Sequence, residues 1–249
     1  MKLELRISHP ELETIRAFVQ SKQNTPLYVE RLNNINSKER NTPNKDIIWK
    51  RMVECLLSTQ QRSSPGDPID KFSNTEPFPL NYKECLQADS IEQFVTDVLT
   101  KFGGIRRAKR ISEAININLN YWEKESGWKN IFSAITELKN SITKEQEREC
   151  VERFMGKDNG FHQFGPKQIR NFFQMLGLVK YEIPIDSRTI KWLNEKNFPV
   201  KLSGSALGDR YIYNFVLDIV QEICEKINIY PTLFDAAVFT NYDNTEAAD

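Results

Sequence analysis

Apolar residues recurring at three- and four-residue spacing, bracketed repeatedly by helix start and stop signals, constrain this chain more than any other feature. Ser8-His9-Pro10 opens a segment with Leu12, Ile15 and Val19 on one face. "DIIWKRMVECLLSTQ", Asp46 to Gln60, runs unusually apolar through Ile48, Met52, Cys55 and Leu56, which predicts a central helix. Ser90-x-x-Gln93 and Thr143-x-x-Gln146 have capping-box spacing, and their helices are expected to stop at Gly103-Gly104 and near Gly156. Pro166 to Leu176 carries Pro at its first position and Gly177 just past its end. Further helices are predicted over about 106–122, 128–138, 187–196, 207–226 and 231–239. The expected fold class is therefore all-α. Two stretches read as loops: polar "NINSKERNTPN" (Asn34 to Asn44), and "SSPGDPIDKFSNTEPFPL" (Ser63 to Leu80) with its four prolines. The acidic tail from Asn241 to Asp249 reads as disordered.

Lys+Arg and Asp+Glu both number 34, so the net charge is +0 and any polyanion must be met by a local patch rather than a global field. The densest basic run, "KFGGIRRAKR", gathers Lys101, Arg106, Arg107, Lys109 and Arg110. Cys55, Cys85, Cys150 and Cys224 have no C-x-x-C pair, so their spacing gives no zinc or iron–sulfur site and they read as reduced, mostly buried thiols. With neither an apolar leader nor a run long enough to span a bilayer, the expected location is the cytoplasm, on the nucleoid in a bacterium, with the nucleus left open for a eukaryotic source.

The chemistry concentrates between Gly156 and Arg188. "GKDNGFHQFG" is a glycine-punctuated hairpin ending at Gly165, directly before a helix whose first amides have no partner within it. Lys167 stands in that first turn, where it could serve as a phosphate contact, a solvated cation or, if desolvated, an amine nucleophile. Nineteen residues on, Asp186 follows Pro184 in "IPIDSR" as a natural helix cap. One carboxylate oxygen can cap while the other faces a reacting centre.

Helix, glycine hairpin, Lys167 and Asp186 in this order resemble the helix-hairpin-helix DNA glycosylases of the endonuclease III superfamily. Lys167 after "FHQFGP" falls where that family's "L-P-G-V-G-x-K" element has its lysine, and Asp186 falls on the family's catalytic aspartate. "KFGGIRRAKRISEAI" is similar to the segment ahead of the hairpin, and "LLSTQQRS" to the helix end whose glutamine fills the gap left by a flipped base. Gln163 stands where the family usually has the hairpin's first glycine and His162 where it has proline. The cysteine cluster of endonuclease III is absent, so the nearer likeness is to cluster-free branches such as the 8-oxoguanine glycosylases.

The resemblance implies two helical subdomains flanking a DNA-binding cleft. Residues 46–199 would form a barrel-like unit with the helix-hairpin-helix at about 143–177, and residues 1–45 and 200–240 a companion unit. It implies a monomeric glycosylase that extrudes and excises a damaged or modified base from double-stranded DNA, with Lys167 as Schiff-base nucleophile for an associated AP-lyase step and Asp186 as the stabilising carboxylate. Gln60 or Gln61 would fill the vacated stack, and Gln163, Gly165, Arg170 and Lys109 would contact DNA. Phe161, Tyr181 and Phe239 are the candidates for the base pocket. No metal or cofactor is expected, apart from a monovalent cation left open at the hairpin. A monofunctional glycosylase using water and a catalytically silent helix-hairpin-helix DNA-binding protein remain the alternatives.

Overall fold

The computed structural model describes residues 6–37, 42–59, 61, 64–124, 126–155, 160–196, 198 and 201–243. Among them the chain is all-helical, with thirteen α-helices and no strand. Those ahead of the hairpin are α1 (His9–Gln20), α2 (Pro26–Asn36), α3 (Lys45–Leu57), α4 (Pro68–Ser73), α5 (Tyr82–Gln87), α6 (Ile91–Phe102), α7 (Ala108–Lys124), α8 (Gly127–Asn140) and α9 (Lys144–Glu152). After it come α10 (Pro166–Met175), α11 (Ser187–Glu195), α12 (Arg210–Lys226), preceded by a 3-10 turn, and α13 (Pro231–Asp243).

Local chemistry sets most of these boundaries. Ser8 and Thr143 close complete capping boxes with Glu11 and Gln146, so both ends of each box satisfy amides that the helix leaves open. Ser90 makes one half of its box: its hydroxyl accepts the Gln93 amide, but the Gln93 side chain turns to Asp97. The stretch expected as loop from Ser63 to Leu80 contains α4, begun by Asp67 and Pro68, and α5 follows before Ser90. Both are six residues long, too short to show a helical period. The polar stretch from Asn34 starts one turn inside α2, and its residues 38–41 lie outside those described. At the other end, α13 runs through Asp243 and buries Tyr242, so the acidic tail is helical at its first three residues; 244–249 lie outside the described residues.

Buried apolar side chains fall into two clusters. The larger centres on α3, whose Ile48, Met52 and Cys55 are fully buried as the central reading expected, and extends through α4–α10 to Val179. The second joins α1, α2, α11, α12 and α13, beginning at Ile183 on its C-terminal side. The first cluster ends at Val179 and the second takes up the chain at Ile183, with Ile190, Trp192 and Leu193 of α11 packed among the terminal helices. Trp49, Trp122, Trp128 and Trp192 are all core residues, and the four cysteines are buried and free. No helix among the described residues is long and apolar enough to cross a membrane.

Candidate active site

The hairpin before α10 is fixed by α7. The Asn118 side chain accepts the His162 amide at 2.6 Å and donates to its carbonyl, while Trp122 Nε1 donates to the Gly160 carbonyl at 2.7 Å. Gly160 has φ +71°, and a Cβ there would fall 2.3 Å from the Tyr121 ring, so only glycine fits. Gln163 also lies in the left-handed region, at φ +66°. The residue that departs from the family's glycine thus adopts a glycine-like backbone, and Arg110 clasps its amide: Nε donates to Oε1 and the Arg110 carbonyl accepts from Nε2. Gly165 is the cap residue of α10 and offers no side chain to it; a Cβ at this position would meet nothing within 4 Å. The ground in front of the first-turn amides is therefore open.

Lys167 lies in that first turn, partly exposed, and among the described residues no carboxylate comes within 4 Å of it. One turn on, α10 packs on α3 through a core face that includes Ile169, Phe172 and Phe173, and Gln168 Nε2 donates to Thr59 Oγ1 at 3.2 Å.

Asp186 caps α11 as its sequence context predicts: Oδ1 accepts the amides of Arg188 at 2.8 Å and Thr189 at 3.2 Å. Its Oδ2 accepts from Arg188 Nη1 at 3.1 Å, and the side chain is 16% exposed. Arg188 also pairs with Asp243 at 3.1 Å and lies 4.3 Å from the Phe239 ring centroid. The run into Asp186 is held rigidly. Glu147 of α9 accepts the amides of Lys180, Tyr181 and Glu182 at 2.7–3.2 Å, and the Tyr213 hydroxyl donates to the Ile183 carbonyl while accepting the Ile185 amide.

Lys167 and Asp186 line one cleft of about 330 Å³, with walls from both hydrophobic clusters. Arg31, Gln174, Asp235 and Phe239 line it as well. Its volume lies within the range of small-molecule sites. Burial pushes the Asp235 carboxyl up to about 7, with the negative charge of Asp186 adding to the effect and Arg31 opposing it.

The remaining candidates separate cleanly. Phe239 is at the cleft; Phe161 is 1% exposed in the core, and Tyr181 lines a different cavity beside Tyr230, so neither forms a wall around Lys167. Arg170, expected on phosphate, is a correction: it is fully buried, bound to Glu182 at 2.8 Å and Asn214 at 3.1 Å, and stacked on Tyr213. It joins the two clusters rather than facing solvent. Gln61 uses its side-chain amide to tie down the α6–α7 turn, accepting from the Arg106 amide at 2.8 Å and donating to Leu57 and Arg106 carbonyls. Gln60 lies outside the described residues. Lys101, Arg106, Lys109 and Arg110 are exposed, and among the described residues none has a carboxylate within 4 Å. Hydrogen bonds from this run reach Gln61 and Gln163, which places its charge beside the hairpin.

Sequence reasoning missed Arg31, Glu147 and Asp235. Each is a single charged residue on a helix, and only burial against a distant segment distinguishes it from a solvated one. No family model matches this chain, and no curated protein matches its sequence.

Proposed function

We propose that the chain is a DNA N-glycosylase with associated AP-lyase activity, a helix-hairpin-helix enzyme acting on an extruded base. The observation that carries this reading is the convergence of Lys167 and Asp186, from two different helix starts, on one cleft. α9, the hairpin and α10 supply the phosphate-seating element, with open amides behind Gly165 and the exposed cations of the α6–α7 turn beside it.

As the N-glycosidic bond breaks, positive charge develops on the sugar, and the Asp186 carboxylate stabilises it. The Lys167 amine attacks C1′ and the base departs with the bonding pair. Loss of a proton from nitrogen and opening of the sugar ring give the imine, whose acidified C2′ hydrogen permits β-elimination of the 3′ phosphate. Binding is local and electrostatic, so affinity falls steeply with salt.

Lys167→Gln abolishes borohydride trapping to abasic DNA, and Asp186→Asn lowers base release by at least about a hundredfold. Trapping that survives the lysine change sinks the Schiff-base assignment. One observation favours a second reading: every Asp186 oxygen already has a protein partner, as in a carboxylate that only caps. A silent DNA-binding protein of that kind binds lesion duplexes unaffected by Asp186→Asn and turns over none of them.

A further inference from the structure

One buried cation beside the two helix starts takes no part in this chemistry. Arg170 stands one turn after Lys167 on α10 and is fully buried. All three of its nitrogens donate: Nε to Glu182 Oε2 at 2.8 Å, Nη1 to the Pro166 carbonyl at 3.2 Å, and Nη2 to Asn214 Oδ1 at 3.1 Å. Two of these bonds join particular places. Pro166 immediately precedes Lys167, and Glu182, itself fully buried, stands four residues before Asp186. The guanidinium also lies 4.8 Å from the centre of the Tyr213 ring, whose hydroxyl donates to the Ile183 carbonyl and accepts the Ile185 amide, next to Asp186. One planar group thus spans from the first turn of α10 to the last residues before α11. Stability alone does not call for it: desolvating such a pair offsets most of its attraction, and apolar side chains of similar volume often serve as well or better. What the guanidinium fork adds is fixed direction, which apolar contacts lack.

We propose that Arg170 is a positioning residue for base release: it braces the first turn of α10 against the run into α11 and so sets the spacing of the Lys167 amine and the Asp186 carboxylate in their shared cleft. This rests on the glycosylase reading. Expulsion of a base needs both groups on one sugar at the same moment, and a misplacement of about 1 Å between them costs about a hundredfold. Imine formation at a ready-made abasic site expels no base and needs the amine alone. The brace can be removed without stranding its partners. Glu182 keeps Arg148 at 3.0 Å and Gln221 at 3.2 Å, and Glu152, 3.5 Å from Arg170 Nη2, keeps Arg210 and Asn214.

The test uses the whole chain carrying Arg170→Met or Arg170→Lys. Methionine removes the fork. Lysine retains the buried charge but, as a single-point donor, does not bridge Pro166 and Glu182, and it decides the matter if methionine prevents folding. Single-turnover base release is measured on duplexes carrying 8-oxoguanine, uracil, thymine glycol or 3-methyladenine, taking the base that wild type releases fastest. Borohydride trapping is measured on an abasic duplex, both at a temperature where circular dichroism shows the variants folded. Each variant loses about ten- to a hundredfold in base release, at least about fivefold more than it loses in trapping. If Arg170 served the fold alone, both rates would fall with the folded fraction and their ratio would stay at the wild-type value. Equal proportional losses, or undiminished base release, overturn the proposal and leave the glycosylase reading intact. A wild type that releases none of these bases, or that traps no abasic DNA, defeats that reading, and the proposal with it.

Discussion

Two carboxyls, Glu147 and Asp235, are pushed up to about 7 by burial, yet they sit in opposite kinds of surroundings. Glu147 is 1% exposed and accepts three consecutive backbone amides from residues 180–182. Asp235 faces a cleft, and among the described residues no arginine nitrogen lies within 4 Å of its oxygens. The same shift therefore marks two different roles. Glu147 is a support that orders the chain ahead of Asp186, and its desolvation is offset by satisfied donors. Asp235 bears its desolvation with only the Gln174 side chain and the more distant charges of Arg31 and Lys167 to offset it, and among the described residues no lysine or arginine nitrogen lies within 4 Å of its oxygens.

The largest effect that would test this contrast is on Glu147. Replacing it with alanine leaves one buried amide and two part-buried ones without their acceptor, at up to about 1–3 kcal/mol each. Glu147→Ala should lower stability by at least about 3 kcal/mol, read as a fall in urea midpoint at constant slope. It should also reduce base release, since the segment ending at Asp186 loses its anchor. A stable Glu147→Ala protein with full activity would erase the distinction between the two carboxyls.

Glu147→Gln is the intermediate case. It keeps an acceptor for the amides, so the expected loss at neutral pH is only about 1 kcal/mol. Its clearer signature is with pH. Because the folded-state pKa of Glu147 is raised, its contribution is fully present below the ordinary glutamate value, near 4.5, and is lost as pH rises through about 7. Glutamine removes this titration, so the decline in wild-type stability between those limits should become shallower. An unchanged slope would show that Glu147 is already ionised across the window, with its three amides outweighing burial.

This contrast also marks how far the sequence could be read. The all-helical class, the caps at Ser8, Thr143 and Asp186, and the placement of Lys167 and Asp186 at successive helix starts rest on local rules, and local rules survive folding. Arg170 failed because a lysine or arginine near a hairpin looks the same in sequence whether it faces phosphate or a buried carboxylate. Only Glu182, with no exposed surface, and Asn214, 44 positions away, decide the matter. Phe161 failed for a similar reason: the rings it touches, Trp122, Phe154 and Phe172, come from separate segments of the chain. Arg31 and Asp235 lie 204 positions apart, and their shared cleft exists only once α2 packs on α13.

The smallest effect, and the one that separates the carboxyls most sharply, belongs to Asp235→Asn. Asparagine is nearly isosteric, so no cavity forms, and among the described residues no lysine or arginine nitrogen lies within 4 Å of the Asp235 oxygens, so no short ion pair is broken and only the longer-range attraction to Arg31 is lost. The sign follows from its raised pKa: in wild type, the contribution of the protonated form is present below the ordinary aspartate value, near 3.8, and is lost as pH rises through about 7. An asparagine at this position cannot ionise, so the variant should match wild type near the acid end of that window and become the more stable of the two above its upper limit, by up to about 1 kcal/mol once partial solvent access is allowed for. Thermal unfolding at about pH 4 and about pH 8, on either side of the titration, checks it. A variant destabilised at both pH values would place Asp235 beside Glu147 as a structural support, whereas one stabilised only at high pH identifies a carboxyl that the fold maintains at a cost to its own stability.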